Sequence, residues 1–515
     1  MSQGSPPALR RLLANLRAMP RAFWETAFRS GKPTTDRTRS AFVFGNVFYH
    51  LHSARVHRWS LRWPTTWGLG LITFWSFALT VVTGILLMFY YMPYPEGAYE
   101  SMKDIQFVVP TGRLVRNLHR WACNVMVVAV FLHMARVFYT AAYRAPREFN
   151  WVAGILLMAL TLALAFTGYL LPWDQLAYWA ITIGANIAQS PREVTDALGV
   201  THIFDPGGLQ KLLLLGSEEV GKEALLRFYL LHIMILPLVL VALLAVHFWR
   251  IRKDGGLARP DDAGQRLGPP PPGTYPVFTE EPQKTYQLAA IVRGRTPQVS
   301  QGPENTLPAM PHVFYAELGV LMFTVFLCML LAVFWDAPLK ELANPQVPEN
   351  PAKAPWYLLG LQEIVSFSAF TGGIGIPTLC VIALGLIPYL DRERDGTGLW
   401  FGGPGGVRLF LGSVAFGLAA VIGVEAFAIQ FGWLREWWLD VPQLLVTFVN
   451  PGTVLVLIYF LYSVWVARRY NSTRAGALAV FTCFLCGFII LTIIGTYLRG
   501  PNWEFYWSQA DWPVH

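Results

Sequence analysis

The chain has 515 residues, of which 54% are hydrophobic and 14% are charged, and its mean hydropathy is +0.40. This composition excludes an ordinary soluble protein and predicts an all-α membrane protein with several spans. The formal net charge of +8 would suggest a nucleic-acid partner in a soluble protein. Here, however, the basic residues lie in alternate loops, which is typical of membrane topology.

Nine apolar stretches follow a basic N-terminal arm, and each is long enough to cross a hydrocarbon layer of about 30 Å. The arm covers residues 1–64, and residues 8–28 within it are expected to lie on a membrane surface as an amphipathic helix. The predicted fold is a polytopic bundle of about nine spanning helices. The stretches lie near residues 66–92, 117–140, 150–171, 226–250, 312–335, 357–390, 406–432, 443–467 and 475–497.

A polar stretch at residues 256–310, which contains a run of four prolines at 269–272, is expected to be a linker. It separates a predicted four-helix domain at residues 65–255 from a predicted five-helix domain at residues 311–515. The chain is therefore expected to have two membrane domains joined outside the membrane.

Charge alternates between successive loops. Basic residues crowd the N-terminal arm and the loops near Arg144, Lys253 and Arg392, whereas the loops between them carry acidic residues such as Glu96 and Asp336. The positive-inside rule therefore places the N-terminus in the cytoplasm and the C-terminus on the outer side. We predict an integral protein of a bacterial inner membrane in this orientation.

Four histidines lie well inside apolar stretches, two in the second and two in the fourth. His119 and His133 are 14 residues apart, and His232 and His247 are 15 apart. Fourteen helical residues advance about 21 Å and return to within about 40° of the same face, while fifteen are offset by about 60°. Neutral imidazole is a common haem-iron ligand, so facing pairs on two helices predict two haems. His119 and His232 would bind the outer haem, and His133 and His247 would bind the cytoplasmic one.

Glycines repeat the histidine spacing in the two neighbouring stretches. Gly70 and Gly84 are 14 residues apart in the first stretch, and Gly154 and Gly168 are 14 apart in the third. We predict that these positions leave room for the edges of flat macrocycles. Small residues also let spanning helices pack closely, so either pair alone has a second explanation.

Cysteine chemistry is not indicated. The five cysteines include no CxxCH sequence, which excludes the usual signature of covalently attached haem. Cys483 and Cys486 form a CxxC in the middle of a span, where packing is the expected role.

The chain contains the motifs TGILLMFYY (83–91), RNLHRW (116–121), GYLLPWDQLAYW (168–179), RFYLLH (227–232), HFWRIRKDG (247–255) and APWYLLGLQE (354–363). Together they resemble cytochrome b of the cytochrome bc complexes, over about residues 65–390. The 15-residue histidine spacing is similar to the b6 type, although here both halves are fused in one chain. The resemblance implies two non-covalent b-type haems, oxidation of quinol, and electron transfer that is coupled to proton translocation.

The resemblance also implies a quinol oxidation site near the outer face. In this family the LPW sequence and the short helix after it border the quinol, which assigns this role to Trp173, Asp174 and Tyr178.

A second part of the quinol site departs from the family. The Pro-Glu-Trp-Tyr motif of the family aligns with Ala354, Pro355, Trp356 and Tyr357, so its glutamate is missing here. That glutamate usually takes a proton from the quinol. We hypothesise that Glu363 substitutes for it, since it lies eight residues later, roughly 80° round and about 12 Å deeper. Asp174 is the alternative proton acceptor.

Three further assignments concern the edges of the bundle. Arg116, one turn before His119, is expected to pair with a haem propionate. Arg252 and Asp254 are expected to contact the quinone that is reduced near the cytoplasm. Gly68 occupies the position at which the b6 type has a cysteine that holds an extra haem, so a third haem is not expected.

The resemblance implies a set of partners as well. A Rieske iron–sulfur protein would receive one quinol electron and pass it to a c-type cytochrome or similar carrier. The chain would form a homodimer within a multi-subunit complex in membrane lipid, and no nucleic acid is expected.

Two other functions fit part of the pattern. A dihaem membrane anchor of a quinone-linked dehydrogenase or reductase would use similar histidine pairs, but such anchors lack the LPWDQ segment and the five-helix second half. A transporter whose histidines relay protons would have no haem absorption band.

Overall fold

The computed structural model describes residues 17–18, 34–45, 51–268, 305–393 and 395–513. Contacts between residues divide the chain into two compact units. The first unit comprises Met1–Thr65, Ile251–Leu257 and Asp261–Gly319, and the second comprises Thr66–Arg250, Ala258–Pro260 and Val320–His515. Nearly all of the predicted surface helix at 8–28, and the proline run of the predicted linker, lie outside the described residues.

The polytopic helical fold is confirmed, because the described residues contain nine helices long and apolar enough to cross a membrane. The sixth span differs most from its prediction. The predicted stretch at 357–390 is divided by residues 366–370 into a short helix and a separate membrane span. The spans are α1 (Leu69–Met88), α2 (Gly112–Tyr139), α3 (Glu148–Tyr169), α4 (Lys222–Lys253), α5 (Ala309–Phe334), α6 (Thr371–Leu390), α7 (Pro404–Phe431), α8 (Pro451–Tyr470) and α9 (Thr473–Leu498).

Shorter elements lie between the spans. Two strands, Arg55–His57 and Thr306–Pro308, pair antiparallel within the first unit. The short α-helices are Asp36–Gly45, Trp63–Thr66, Pro95–Phe107, Gln175–Gln189, Arg192–Ala197, Pro206–Leu215, Ala263–Leu267, Leu359–Val365, Leu434–Trp437 and Gln443–Phe448. Single turns of 3-10 helix cover Arg58–Leu61, Trp356–Leu358, Trp400–Gly402, Pro501–Trp503 and Gln509–Asp511.

Successive spans run in opposite directions, so their loops alternate between two faces. We call the face where α2 begins the His119 face, and the face where α2 ends the His133 face. Polar caps help to set the span boundaries at these faces. Asn450 and Thr453 form a reciprocal capping box at the start of α8, and the Ser472 side chain accepts a hydrogen bond from the backbone of Ala475 at the start of α9.

The first four spans share an apolar layer at mid-height. Its buried side chains are Phe77 from α1, Met126 from α2, Leu157 and Leu164 from α3, and Leu240 from α4. Met126 lies midway along α2 between His119 and His133, so this layer separates two levels of the bundle.

The last three spans form a second core within the same unit. Val421 on α7, Leu455 and Tyr459 on α8, and Cys483 and Leu491 on α9 are buried together. Cys483 therefore lies in an apolar packing environment, as expected for a packed cysteine.

A buried polar cluster connects loops on the His133 face. The Arg144 guanidinium donates to Asp391, with Nη2 2.8 Å from Oδ1. The Tyr143 hydroxyl donates to the same carboxylate at 2.5 Å and accepts a hydrogen bond from Arg474 Nη1 at 2.8 Å. These contacts join the α2–α3 loop to residues that follow α6 and begin α9.

Candidate functional site

The structure brings His119 on α2 next to His232 on α4. The centres of their rings are 6.2 Å apart, and the ring planes are inclined by 69°. Two imidazole nitrogens bound to one metal ion, each at about 2 Å, separate the ring centres by roughly 6 Å once the ring radii are added. The spacing of the pair would therefore allow both imidazoles to bind one metal ion between them.

Hydrogen bonds orient both of these imidazoles. His119 Nδ1 lies 3.0 Å from the hydroxyl of Thr83, and His232 Nδ1 lies 3.0 Å from the backbone oxygen of Leu164. The Thr83 hydroxyl donates to Leu79 O, so its oxygen can accept a hydrogen bond from Nδ1–H of His119. With Nδ1 protonated, the lone pair of Nε2 is free to bind a metal.

The second pair lies at the other level of the bundle. His247 on α4 is close enough to His133 on α2 to interact with it electrostatically. Nδ1 of His133 is buried and has no hydrogen-bond partner among the described residues. Within the described part of the chain, no group of three or more histidine, cysteine or acidic side chains could hold a metal ion. A metal bound at either histidine pair would need most of its ligands from a macrocycle.

Each of the four predicted glycines faces one of the four histidines. A Cβ built on Gly168 would lie 2.5 Å from Cε1 of His232, and one on Gly84 would lie 3.2 Å from Cε1 of His119. A Cβ built on Gly70 would lie 3.1 Å from Cε1 of His133, and one on Gly154 would lie 3.6 Å from Cε1 of His247. The absent side chains thus make room for the imidazoles, a contact that the sequence analysis did not predict.

A short π-helical segment accounts for the unequal histidine spacing. Residues Leu231–Ile235 of α4 form this segment, and His232 lies within it. A π turn takes up one residue more than an α turn over the same rotation. The 15 residues from His232 to His247 therefore act as about 14 residues of regular helix, so their angular offset matches the offset of about 40° between His119 and His133.

The predicted quinol residues after α3 lie together. The rings of Trp173 and Tyr178 are 6.0 Å apart, and both residues are buried in one apolar cluster. Asp174 caps the helix Gln175–Gln189 by accepting a hydrogen bond from the backbone N–H of Ala177, and it also accepts one from that of Lys340. Burial raises the pKa of Asp174. Its two backbone bonds nevertheless indicate a structural role.

The predicted quinol residues before α6 contact α2. Trp356 Nε1 donates to the side chain of Asn124 at 3.0 Å, and Tyr357 packs against Val127 and Ala165. The Tyr357 hydroxyl is buried and lacks a hydrogen-bond partner within the described ranges. Burial raises the pKa of Tyr357, so this hydroxyl is a neutral donor. It is suited to a polar group of a bound ligand.

Other predicted site residues have partners of their own. Glu363 is fully buried and forms a bidentate ion pair with Arg499, which weighs against its role as a free base. Arg116 donates to the side chain of Gln106 and to the backbone oxygens of Ala337 and Pro338. Arg116 therefore anchors a loop of the His119 face.

Two of the remaining predicted residues, Arg252 and Asp254, lie at the C-terminal end of α4. Asp254 is buried and Arg252 is half-buried in the first unit. Gly68 begins α1 with a φ of 63°, a conformation that strongly favours glycine over cysteine.

Two groups of functional residues were missed by the sequence analysis. Thr83 and Thr167, whose hydroxyls lie near the imidazoles of His119 and His232, occupy apolar helices where each threonine also bonds its own backbone. Their position immediately before Gly84 and Gly168 is the one signal that could have indicated them. Arg499 lies 136 residues beyond Glu363, and no local pattern connects the two.

The comparisons with known proteins agree with this arrangement. The family model described as Cytochrome b/b6/petB matches residues 59–255. Cytochrome b6 of Heliomicrobium gestii is 46% identical over 187 residues, which are 36% of this chain and 82% of that protein. The menaquinol:cytochrome c reductase cytochrome b subunit of Bacillus subtilis (strain 168) is 41% identical over 187 residues, 36% of this chain and 78% of that protein.

A longer match extends into the C-terminal half. The cytochrome bc complex cytochrome b subunit of Chlorobaculum thiosulfatiphilum is 30% identical over 362 residues, which are 69% of this chain and 72% of that protein. A solved structure described as hyperthermophilic respiratory Complex III has the same fold, with a TM-score of 0.53, 22% identity, and coverage of 94% of this chain and 98% of that one. The histidine pairs, the helical membrane fold and these matches together show that the chain belongs to the cytochrome b family, whose members carry b-type haem.

Proposed function

We propose that this chain is the dihaem cytochrome b subunit of a quinol-oxidising electron-transfer complex. His119 and His232 bind one b-type haem, and His133 and His247 bind the other. The observation that carries the proposal is the 6.2 Å separation of the His119 and His232 rings, with hydrogen-bond partners at both Nδ1 atoms. When bound, the two haems supply one-electron carriers at two levels of the membrane.

The chain's own residues prepare these two sites. Thr83 and Leu164 O fix the orientation of the first imidazole pair, and the facing glycines let all four imidazoles lie close to neighbouring helices. The apolar layer at mid-height keeps water from the space between the two levels. Low polarity around a redox centre limits the reorganisation that accompanies each electron transfer and also tunes its potential.

The charge pattern of the loops supports one orientation. The His133 face carries Arg144, Arg392 and Arg474, whereas the His119 face carries acidic residues such as Glu100 and Asp336. We place the His133 face in the cytoplasm and the His119 face outside. In this orientation the N-terminus is cytoplasmic, the C-terminus is outside, and the membrane is a bacterial inner membrane.

Quinol oxidation is assigned to the His119 face. Trp173, Tyr178, Trp356 and Tyr357 border the site, and the unpartnered hydroxyl of Tyr357 is available to a quinol oxygen. One electron leaves to a Rieske iron–sulfur protein and then to a c-type cytochrome or similar carrier, and the other crosses to the His133 level to reduce quinone near Arg252 and Asp254. Protons are released outside and taken up inside.

The descriptions of the relatives support a proposal for the quinone and for the assembly state. One relative is described as a menaquinol:cytochrome c reductase subunit, and we assign quinol of that class to this chain. We also propose that the chain works as a homodimer in a multi-subunit complex, as its likeness to a respiratory Complex III fold suggests.

Haem stoichiometry tests the first part of this proposal. A pyridine haemochrome assay of the purified complex is expected to give two b-type haems per chain, and three would refute the assignment of Gly68. His119→Leu and His133→Leu should each remove one haem and leave the other, because the pairs lie at separate levels. His202→Gln, in an exposed loop, is the matched control and should retain both. Retention of both haems in His119→Leu would contradict the ligand assignment.

Oxidant-induced reduction of the b haems distinguishes a bifurcating complex from a dihaem membrane anchor. When the quinone reduction site is inhibited, adding an oxidant to the complex with quinol present should increase the fraction of reduced b haem, because the two quinol electrons leave by different routes. A dihaem anchor has a single route, so its b haems would only become more oxidised.

A further inference from the structure

The C-terminal half contains a buried cluster of three ionisable side chains on the His119 face. Glu363 is 0% exposed, Glu425 is 4% exposed and Arg499 is 9% exposed. They come from three different elements: the helix Leu359–Val365, the last two turns of α7, and the residue that follows α9. We call these residues the acid cluster.

Arg499 donates its hydrogen bonds to Glu363 and to the backbone of Trp503 rather than to Glu425. Its Nε lies 2.9 Å and 3.1 Å from the two carboxylate oxygens of Glu363, its Nη2 donates to the same carboxylate, and its Nη1 donates to Trp503 O at 3.1 Å. Glu425 interacts electrostatically with both Glu363 and Arg499. Its Oε2 atom is buried and has no hydrogen-bond partner in the part of the chain that the structure describes.

The charges of the acid cluster do not balance when both acids are ionised. One guanidinium then faces two carboxylates, and the surroundings are apolar, since Val421 precedes Glu425 by one turn and packs with Ile364 and Leu491. An unpaired charge at such a depth is costly, and intramembrane acids of this kind usually mark proton or ion pathways. Glu363 has Arg499 as its partner, so Glu425 is the member that can hold an exchangeable proton.

Few other titratable groups face this part of α7. On the neighbouring helices, the Tyr459 hydroxyl donates to Gly417 O, and Cys483 also contacts Gly417. Gly417 precedes Glu425 by eight residues, which is about 12 Å along α7. Cys486 also contacts this lower part of α7, near Val414. Glu363 and Arg499 therefore dominate the electrostatic surroundings of Glu425 among the described residues.

The acid cluster is connected to the segment that lacks the family's glutamate. Gln362, adjacent to Glu363, accepts a hydrogen bond from the Ala354 backbone at 2.7 Å and donates to Ala352 O at 2.8 Å. Lys353 Nζ donates to Thr496 O at 2.8 Å, three residues before Arg499. The segment that carries Pro355 in place of glutamate is thus fastened directly to the elements that carry Glu363 and Arg499.

We propose that Glu425 is the proton-relay residue for quinol oxidation in this chain and acts through the Glu363–Arg499 pair. This inference rests on the proposed function. Oxidation of one quinol releases two electrons and two protons. One proton leaves with the electron that goes to the external one-electron acceptor. The second quinol O–H bond breaks as the other electron leaves toward the His119 level, and an O–H bond forms on Glu363 beside Arg499. The proton then passes to Glu425, where an O–H bond forms as the one on Glu363 breaks. The O–H bond on Glu425 breaks in turn and releases the proton to water outside.

The test compares Glu425→Gln with Glu436→Gln in the purified complex. Glutamine keeps the shape of glutamate but cannot exchange a proton, so Glu425→Gln should lower the rate of quinol oxidation at least about tenfold and flatten its dependence on pH. Glu436, exposed just beyond α7, should give the wild-type rate and pH profile when substituted. Glu425→Asp keeps the acid and should recover much of the rate.

Infrared difference spectra between oxidised and reduced complex give a second measurement. A protonated-carboxyl signal should be present in the wild type and in Glu436→Gln, and absent from Glu425→Gln. A wild-type rate, pH profile and carboxyl signal in Glu425→Gln would overturn the proposal. Equal loss of b-haem absorbance in Glu425→Gln and Glu425→Asp would also overturn it, in favour of a structural role. Absence of b-haem bands from the wild-type complex would instead refute the proposed function itself.

Discussion

The four imidazoles owe their positions to small neighbours as much as to their own helices. Gly168 illustrates this, because a side chain at this position would place its Cβ 2.5 Å from His232 Cε1. Thr167 and Leu164 on the same helix then fix the direction of the ring. The orientation of the His232 ring is thus determined largely by α3, which contributes no histidine.

Substitution of Gly168 by alanine tests this dependence. A Cβ at 2.5 Å from His232 Cε1 is too close, so Gly168→Ala should displace the ring and weaken binding of the haem at the His119 level about tenfold or more. Helix propensity acts in the opposite direction, since alanine is more favourable than glycine in a helix by about 1 kcal/mol. Haem content and the reduced-minus-oxidised spectrum provide the measurement.

Gly154→Ala is the matched control for Gly168→Ala. Its Cβ would lie 3.6 Å from His247 Cε1, an ordinary contact, so both haems should be retained. The steric explanation would be wrong if the two alanine variants lost haem equally.

At the scale of elements, one irregular turn of α4 sets the rotation of its two histidines relative to the other helices of the bundle. The π segment at Leu231–Ile235 includes His232, the first histidine of the helix, and it restores the histidine register that a regular helix with a 15-residue spacing would lose. Such segments are less stable than α-helix and persist where surrounding contacts fix them.

Changing the length of α4 by one residue should have unequal effects. Deletion of Ile235 leaves a 14-residue spacing, and a regular α-helix can then present both histidines, so two haems per chain are expected. Insertion of one alanine after Ile235 requires a second irregular turn and should cost one haem. Haemochrome analysis of both variants distinguishes these outcomes, and equal tolerance of the two changes would show that the π segment does not set the register.

The spans and the histidine levels could be predicted from sequence because both depend on local patterns. Apolar length fixes where α1 to α9 lie, and a 14-residue spacing fixes which faces His119 and His133 share. The π segment could not be predicted, because its stability comes from contacts with other helices. The Glu363–Arg499 pair was missed for a similar reason: the hypothesis for Glu363 rested on its distance along the chain from Pro355, while its partner is supplied by the end of α9.

At the scale of the whole chain, a buried ion pair joins segments that are far apart in sequence. Arg144 and Asp391 have side chains that are 5% and 2% exposed, and they lie 247 residues apart. Both residues belong to the second unit. Their contact joins the C-terminal part of that unit to its N-terminal part on the His133 face.

Breaking the Arg144–Asp391 pair should lower the stability of the folded chain. Asp391→Asn leaves the Arg144 guanidinium buried without its counter-ion, so a loss of about 3–5 kcal/mol of stability is expected. Glu100→Gln breaks the exposed pair with Lys103, whose side chains are 62% and 45% exposed, and should leave stability nearly unchanged because water screens exposed charges. Thermal loss of b-haem absorbance in the purified complex measures both, and an equal shift would contradict the distinction.

The apolar layer that contains Phe77, Met126 and Leu240 also has an electrical consequence. The histidine levels it separates are about 21 Å apart along the helix, roughly two thirds of a 30 Å hydrocarbon core. Because the layer is poorly polarisable, a similar share of the membrane voltage falls across it. In the orientation proposed above, an electron that passes from the His119 level to the His133 level moves against a free-energy cost of about 1.5 kcal/mol for every 100 mV of voltage. The redox equilibrium between the two levels should therefore respond to the energised state of the membrane.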